Sequence, residues 1–163
     1  MKLIDKSILA AVLVSLPVGS ALAQDKGCIE LKTTAQTEQT VKGPDGTLQT
    51  RLVPAGKVVP GSEVIWTVTA TNVCSKAAGD VSIDSPVPEH MVFIADSAIA
   101  AAFTVSYSVD GKRYDSAGAL TVRDADGTTR SARADEIRHV RYAMRAALAP
   151  GETVSATYRT RVE

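Results

Sequence analysis

The 163-residue sequence predicts an all-β protein, an antiparallel sandwich of about seven to nine short strands. Three observations carry this. Apolar residues alternate with polar ones from Gly61 onward, Thr, Val and Tyr are enriched in those runs, and Gly- or Pro-containing turn pairs separate them. No stretch carries the apolar spacing of a long helix.

The chain opens with "MKLIDKSILAAVLVSLPVGSALAQ". Lys2 and Lys6 precede an apolar run from Ile8 to Leu16, and Ala21 and Ala23 form a small-residue cleavage pattern. This reads as a signal peptide over residues 1–23, with cleavage after Ala23. The apolar run is well short of the roughly 20 residues that span a bilayer, so no membrane span is expected in the mature chain. The expected location is the periplasm or the exterior. The mature chain, 24–163, has the size of one domain and a core able to stand without a dense disulfide framework. Once Lys2, Lys6 and Asp5 are removed, sixteen Lys and Arg face seventeen Asp and Glu. That balance gives no general attraction to nucleic acid or to an anionic membrane.

Residues 24–51 are more polar, with apolar alternation at Ile29 and Leu31 and again at Leu48 and Leu52. They are expected to form N-terminal edge strands beside a sandwich domain over 52–163. In "VIWTVTAT" the parity of a strand places Val64, Trp66, Val68 and Ala70 on one face, toward the core, and Ile65 and three Thr on the other. The same count points Val81 and Ile83 inward, then Phe103, Val105, Tyr107 and Val109, then Val140, Tyr142 and Met144, and finally Val154, Ala156, Tyr158 and Val162. Pro60-Gly61 and Pro150-Gly151 lead into strands, while Asp45-Gly46, Asp110-Gly111 and Asp126-Gly127 suit tight turns. Pro86 and Pro88 break a ladder because neither donates an N–H. One helical turn is expected around Ala134 to Glu136.

Four segments resemble the bacterial conserved repeat domain, the family known as domain of unknown function number eleven: "VVPGSEVIWTVTATN", "VSIDSPVPEHMVFI", "VSYSVDGKRY" and "LAPGETVSATYRTRV". The resemblance covers about residues 52–162. It implies an immunoglobulin-like sandwich of the cell envelope with a structural or adhesive role and no catalytic residues to carry over. The sequence departs from the pattern in having a single copy and in placing Cys74 after Asn72.

Cys28 and Cys74 are the only cysteines. In an exported chain an even count favours pairing, with two buried thiols as the alternative, and no C-x-x-C or Cys/His cluster points to redox or metal chemistry. Asn72 is the only Asn. It reads as a strand-end cap, or as one partner of an amide crosslink to Lys32 beside Glu30. The "DADG" at 124–127, with Asp110 and Asp115 elsewhere, lacks the spacing of a Ca²⁺ loop and reads as a turn. His90 and His139 have no carboxylate or nucleophile at motif spacing, so no enzyme activity and no cofactor are expected. Parity places His139, Arg141 and Arg145, with Arg159 and Arg161 of the last strand, on exposed faces. If those strands are neighbours, as in an immunoglobulin-like sheet, they form either a solvated face with Asp80, Asp84 or Glu152 interspersed, or a stripe for an acidic protein or polymer. The alternative use of the chain is self-association, in which the extended "CIELKTTAQTEQTV" adds as a strand to another copy.

Overall fold

A computed structural model describes residues 27–163; the expected signal peptide and its cleavage site lie outside the described residues. The fold is an antiparallel β-sandwich. Its strands are β1 (Ile29–Lys42), β2 (Leu48–Pro54), β3 (Glu63–Asn72), β4 (Ser82–Pro86), β5 (Met91–Phe93), β6 (Phe103–Ser108), β7 (Thr121–Arg123), β8 (Thr129–Ser131), β9 (His139–Met144) and β10 (Thr153–Val162). One sheet has the order β2-β1-β3-β10-β5, the second has the order β4-β9-β6, and β7 and β8 form a separate hairpin. A single 3₁₀ turn, Ala134–Glu136, sits where the sequence places a helical turn.

Strand parity is realised in the core. Val64, Val68 and Ala70 of β3 are buried, and Ala156 and Tyr158 of β10 lie beside them because Tyr158 pairs with Trp66 and Ala156 with Val68. Ile83, Phe103, Val140 and Tyr142 supply the facing layer from the smaller sheet. Trp66, Val105 and Tyr107 pack against this cluster while remaining half-buried, and Val109 falls in the turn beyond β6. Aromatic contacts tie the layers together: Phe93 of β5 meets Tyr107 of β6 at 5.4 Å between ring centroids, and the Tyr142 hydroxyl donates to the Thr157 carbonyl at 3.2 Å. Thus β6 lies over β5, β9 over β10, and β4 over β3.

The turns follow the sequence. Gly46, Gly61, Gly127 and Gly151 all have positive φ, the conformation in which glycine has no steric penalty. Asp110-Gly111 behaves differently: the chain leaves β6 in a wide loop whose only ladder contact is the Tyr107–Asp115 bridge.

Two expectations change. The segment expected at the edge divides, with β2 at the edge and β1 between β2 and β3. The reason is length. β1 runs for 14 residues, so its first half, Ile29 to Gln36, pairs with β3 and its second half, Gln36 to Lys42, with the returning β2. Second, β9 and β10 are not neighbours. The loop 145–152 carries the chain from one sheet to the other, where β10 pairs with β3 and β5.

Cys28 and Cys74 form a disulfide across 46 positions of sequence. It joins the residue before β1 to the second residue beyond the Asn72 end of β3, where Ile29 already pairs with Asn72. Closing a loop of that length contributes about 4 kcal/mol in the chain-entropy description.

Candidate functional site

Five strands facing three leave part of the larger sheet uncovered. β1 and β2 overhang beyond β4, and Leu31, on the core-side face of β1, is 53% exposed. Beside it opens a groove of about 300 Å³ lined by Leu31, Thr33, Trp66, Val68 and Tyr158 on the floor and by Ile83, Asp84, Ser85, Pro86 and Pro88 on the wall. The lining is mostly apolar, and the volume is at the lower end of ordinary ligand sites. Its floor is rigid. The Trp66 indole stacks on Tyr158 with centroids 6.4 Å apart and planes 19° from parallel, its Nε1–H donates to Thr160 Oγ1 at 2.9 Å, and the Tyr158 hydroxyl donates to the Pro86 carbonyl at 3.0 Å. Burial pushes the Tyr158 hydroxyl pKa well above its ordinary value, so the phenol stays neutral.

The rim of the groove carries a polar cluster on the solvent face of the smaller sheet. Asp84 of β4 pairs with Arg141 of β9 in the ladder, and His139 stands one turn of the pleat away. The Asp84 carboxylate receives Arg141 Nη2 at 3.4 Å, faces His139 Nδ1 at 3.3 Å and accepts the Tyr114 hydroxyl. The Tyr114 ring lies 3.4 Å from the Arg141 guanidinium carbon, a cation–π contact. Desolvation first, and Asp84 second, raise the Tyr114 pKa. A Cβ on Gly111 would stand 2.8 Å from His139 Nε2, and Gly111 has φ of 73°, so only glycine brings this loop onto the histidine ring.

The five basic residues expected in one stripe are therefore divided. His139 and Arg141 belong to the Asp84 cluster, and Arg145 donates to the Ala101 carbonyl at 3.4 Å. Arg159 lies on the outer face of the other sheet, 2.7 Å from Glu38 and 3.7 Å from Glu63, and Arg161 is 3.4 Å from Glu63. With the strands in different sheets and four of the five side chains facing carboxylates, no continuous basic face forms. Exposed pairs of this kind contribute little stability.

Asn72 is fully buried and acts as a strand-end cap. Its Nδ2 donates to the carbonyls of Lys76 and Leu148, both at 2.8 Å, and its Oδ1 accepts from Cys74 N at 3.0 Å. Glu30 and Lys32 occupy the opposite face of the sheet, since Asn72 pairs with Ile29, so the crosslink geometry is absent. The aspartates considered for calcium are engaged separately: Asp110 accepts the N–H groups of Lys112 and Arg113, Asp126 that of Thr128, Asp115 that of Ser116, and Asp124 pairs with Arg130. His90, with φ of 60°, is exposed on the loop before β5.

Leu31, Thr33, Ser85 and Tyr114 are among the site residues that sequence reasoning did not single out. Leu31 shows the right parity in the sequence, but its exposure follows from a strand missing above it, which no local pattern records. Comparison with family models, curated proteins and solved structures finds no match to this chain.

Proposed function

We propose that this protein is an exported, non-enzymatic β-sandwich of the cell envelope that binds the apolar side chains of a partner protein in the Trp66 groove. The observation that carries the reading is the groove's charge pattern. Its single charged lining residue, Asp84, is already engaged by Arg141, His139 and Tyr114, which leaves no free charge to recognise an ionic ligand. An uncharged, apolar occupant is what such a lining favours.

The non-enzymatic part rests on the His139–Asp84 contact. Its remaining ring nitrogen faces Gly111 rather than a hydroxyl or thiol, so the nucleophile–base–orienter chain of acyl transfer is not assembled there. Export is supported by the leader-like first 23 residues and by the disulfide, since oxidising compartments retain such bonds. The resemblance to the conserved repeat domain supports an envelope role.

Trp66 is the only Trp, so its emission reports groove occupancy without labelling. Titration of the oxidised 24–163 chain with a capped, leucine-rich peptide should give a saturable blue shift that Leu31→Glu abolishes. A linear, unsaturable response, or one that Leu31→Glu leaves intact, overturns the assignment.

A further inference from the structure

We propose that β2 is a homodimerisation edge, through which two copies of this chain join their five-stranded sheets across a two-fold axis at Thr50. Besides the Ile29–Ala35 half of β1, which pairs with β3 alone, carries Glu30 and Lys32 and is stapled at Cys28, the sandwich has four sheet edges. β5 has three residues, β6 is partly closed by the Tyr107–Asp115 bridge, and β4 ends in Pro86, whose carbonyl is taken by Tyr158. Short strands, covering loops and prolines are the devices that keep edges from pairing. β2 lacks them over most of its length: from Leu48 to Val53 it is regular, with one charge, Arg51, and Leu48 and Leu52 are 75% and 51% exposed.

The register shows what this edge offers. Gly43 N donates to the Thr47 carbonyl and Ala55 N to the Ala35 carbonyl, so the odd-numbered residues of β2 exchange hydrogen bonds with β1. In an antiparallel ladder the alternate residues then direct both N–H and C=O outward. Those are Leu48, Thr50 and Leu52. Antiparallel pairing about Thr50 sets Thr50 against Thr50 of the second copy and Leu48 against Leu52 of the second copy, and every outward N–H from 48 to 52 meets a carbonyl. Pro54 falls outside the paired stretch.

Side chains fit the same register. Leu48 and Leu52 of both copies meet on the outer face, which also carries Ile65 and Ile99. On the other face Arg51 stands opposite Gln49 of the second copy, so the one charge of the strand does not meet itself. Because the contact uses the same edge of both molecules, it closes at two copies and does not propagate. The area is that of a strand edge, below the roughly 1,200 Å² of stable interfaces, so the association is weak and reversible. Self-association thus passes from the N-terminal strand, whose second half is covered by β2 and whose first half carries charges and is stapled by Cys28, to the strand after it.

Sedimentation velocity of the oxidised 24–163 chain, from about 10 µM to about 1 mM, the range in which small interfaces associate, tests this. The expected result is a reversible monomer–dimer equilibrium. Thr50→Pro deletes an outward N–H without touching the β1 ladder and should weaken dimerisation at least tenfold while leaving circular dichroism unchanged; Leu52→Lys should do the same through the outer face. Leu31→Glu, which disables the groove, should leave dimerisation intact, so this proposal and the binding reading fail separately. A monomer throughout the range, assembly beyond two copies, or wild-type association in both Thr50→Pro and Leu52→Lys overturns it.

Discussion

Replacing Asn72 by Ala removes three hydrogen bonds, one buried and two part-buried, at the junction of β3, the 73–76 turn and the loop before β10. The carbonyls of Lys76 and Leu148 lose their donor and the Cys74 N–H loses its acceptor. At a net worth of about 1 kcal/mol each, the loss is about 3 kcal/mol. For a domain of this size that lowers Tm by roughly 10 °C. Asn72→Asp sharpens the test because it preserves shape. It keeps an acceptor for Cys74 N and turns a carboxylate toward two carbonyls inside the protein, so at neutral pH it should cost at least as much as Ala. Acid should recover part of the loss, since a protonated carboxyl restores one donor. Urea unfolding of both variants at pH 7 and pH 4, by far-ultraviolet circular dichroism, reads these differences. An Asn72→Asp protein as stable as wild type at pH 7, or an Asn72→Ala loss below about 1 kcal/mol, would refute the capping argument.

Removing the disulfide with Cys28→Ser and Cys74→Ser should lower unfolding free energy by about 2–4 kcal/mol with the fold retained, because β1 stays paired to β3; an unchanged urea midpoint contradicts the loop-closure account. Glu136 accepts two hydrogen bonds from Arg130 and one from Arg133 N, which hold its pKa down to about 2. A lowered folded pKa means that this stabilisation is present above about pH 4.5 and is lost as pH falls toward 2; a carboxyl NMR titration of Glu136 with its midpoint above 4 refutes it. All four tyrosines, Tyr107, Tyr114, Tyr142 and Tyr158, have pKa values raised, in each case chiefly by desolvation. Their raised folded pKa values favour the folded state below about pH 10, and that contribution disappears as alkali ionises them, so tyrosinate absorbance should rise late and together with unfolding; an ordinary titration at about pH 10 in the folded protein counts against the burial.

The faces of individual strands were legible because alternation is local. Trp66, Val68, Ile83, Phe103, Val140, Tyr142 and Tyr158 all lie in or against the core that parity assigns them. Sheet membership was not legible in the same way. Nothing within "HVRYAM" or "TVSATYRTRV" distinguishes strands that pair with each other from strands stacked face to face, and that decision rests on distant partners such as Glu38, 121 positions before Arg159. The basic stripe failed at that step. The groove was hidden for a related reason: Leu31 has the parity of a core residue and becomes a surface residue only because three strands cannot cover five. Cysteine pairing, by contrast, followed from a count of two and an expected oxidising compartment.

The measurement closest to the central claim is amide chemical-shift mapping of the oxidised 24–163 chain during titration with the capped leucine-rich peptide. Binding in the Trp66 groove predicts saturable shifts confined to Leu31, Thr33, Trp66, Ile83, Asp84 and Ser85, with the Trp66 indole N–H among the largest. Shifts centred on the outer face near Ile65 and Ile99, or none that saturate, would contradict the account.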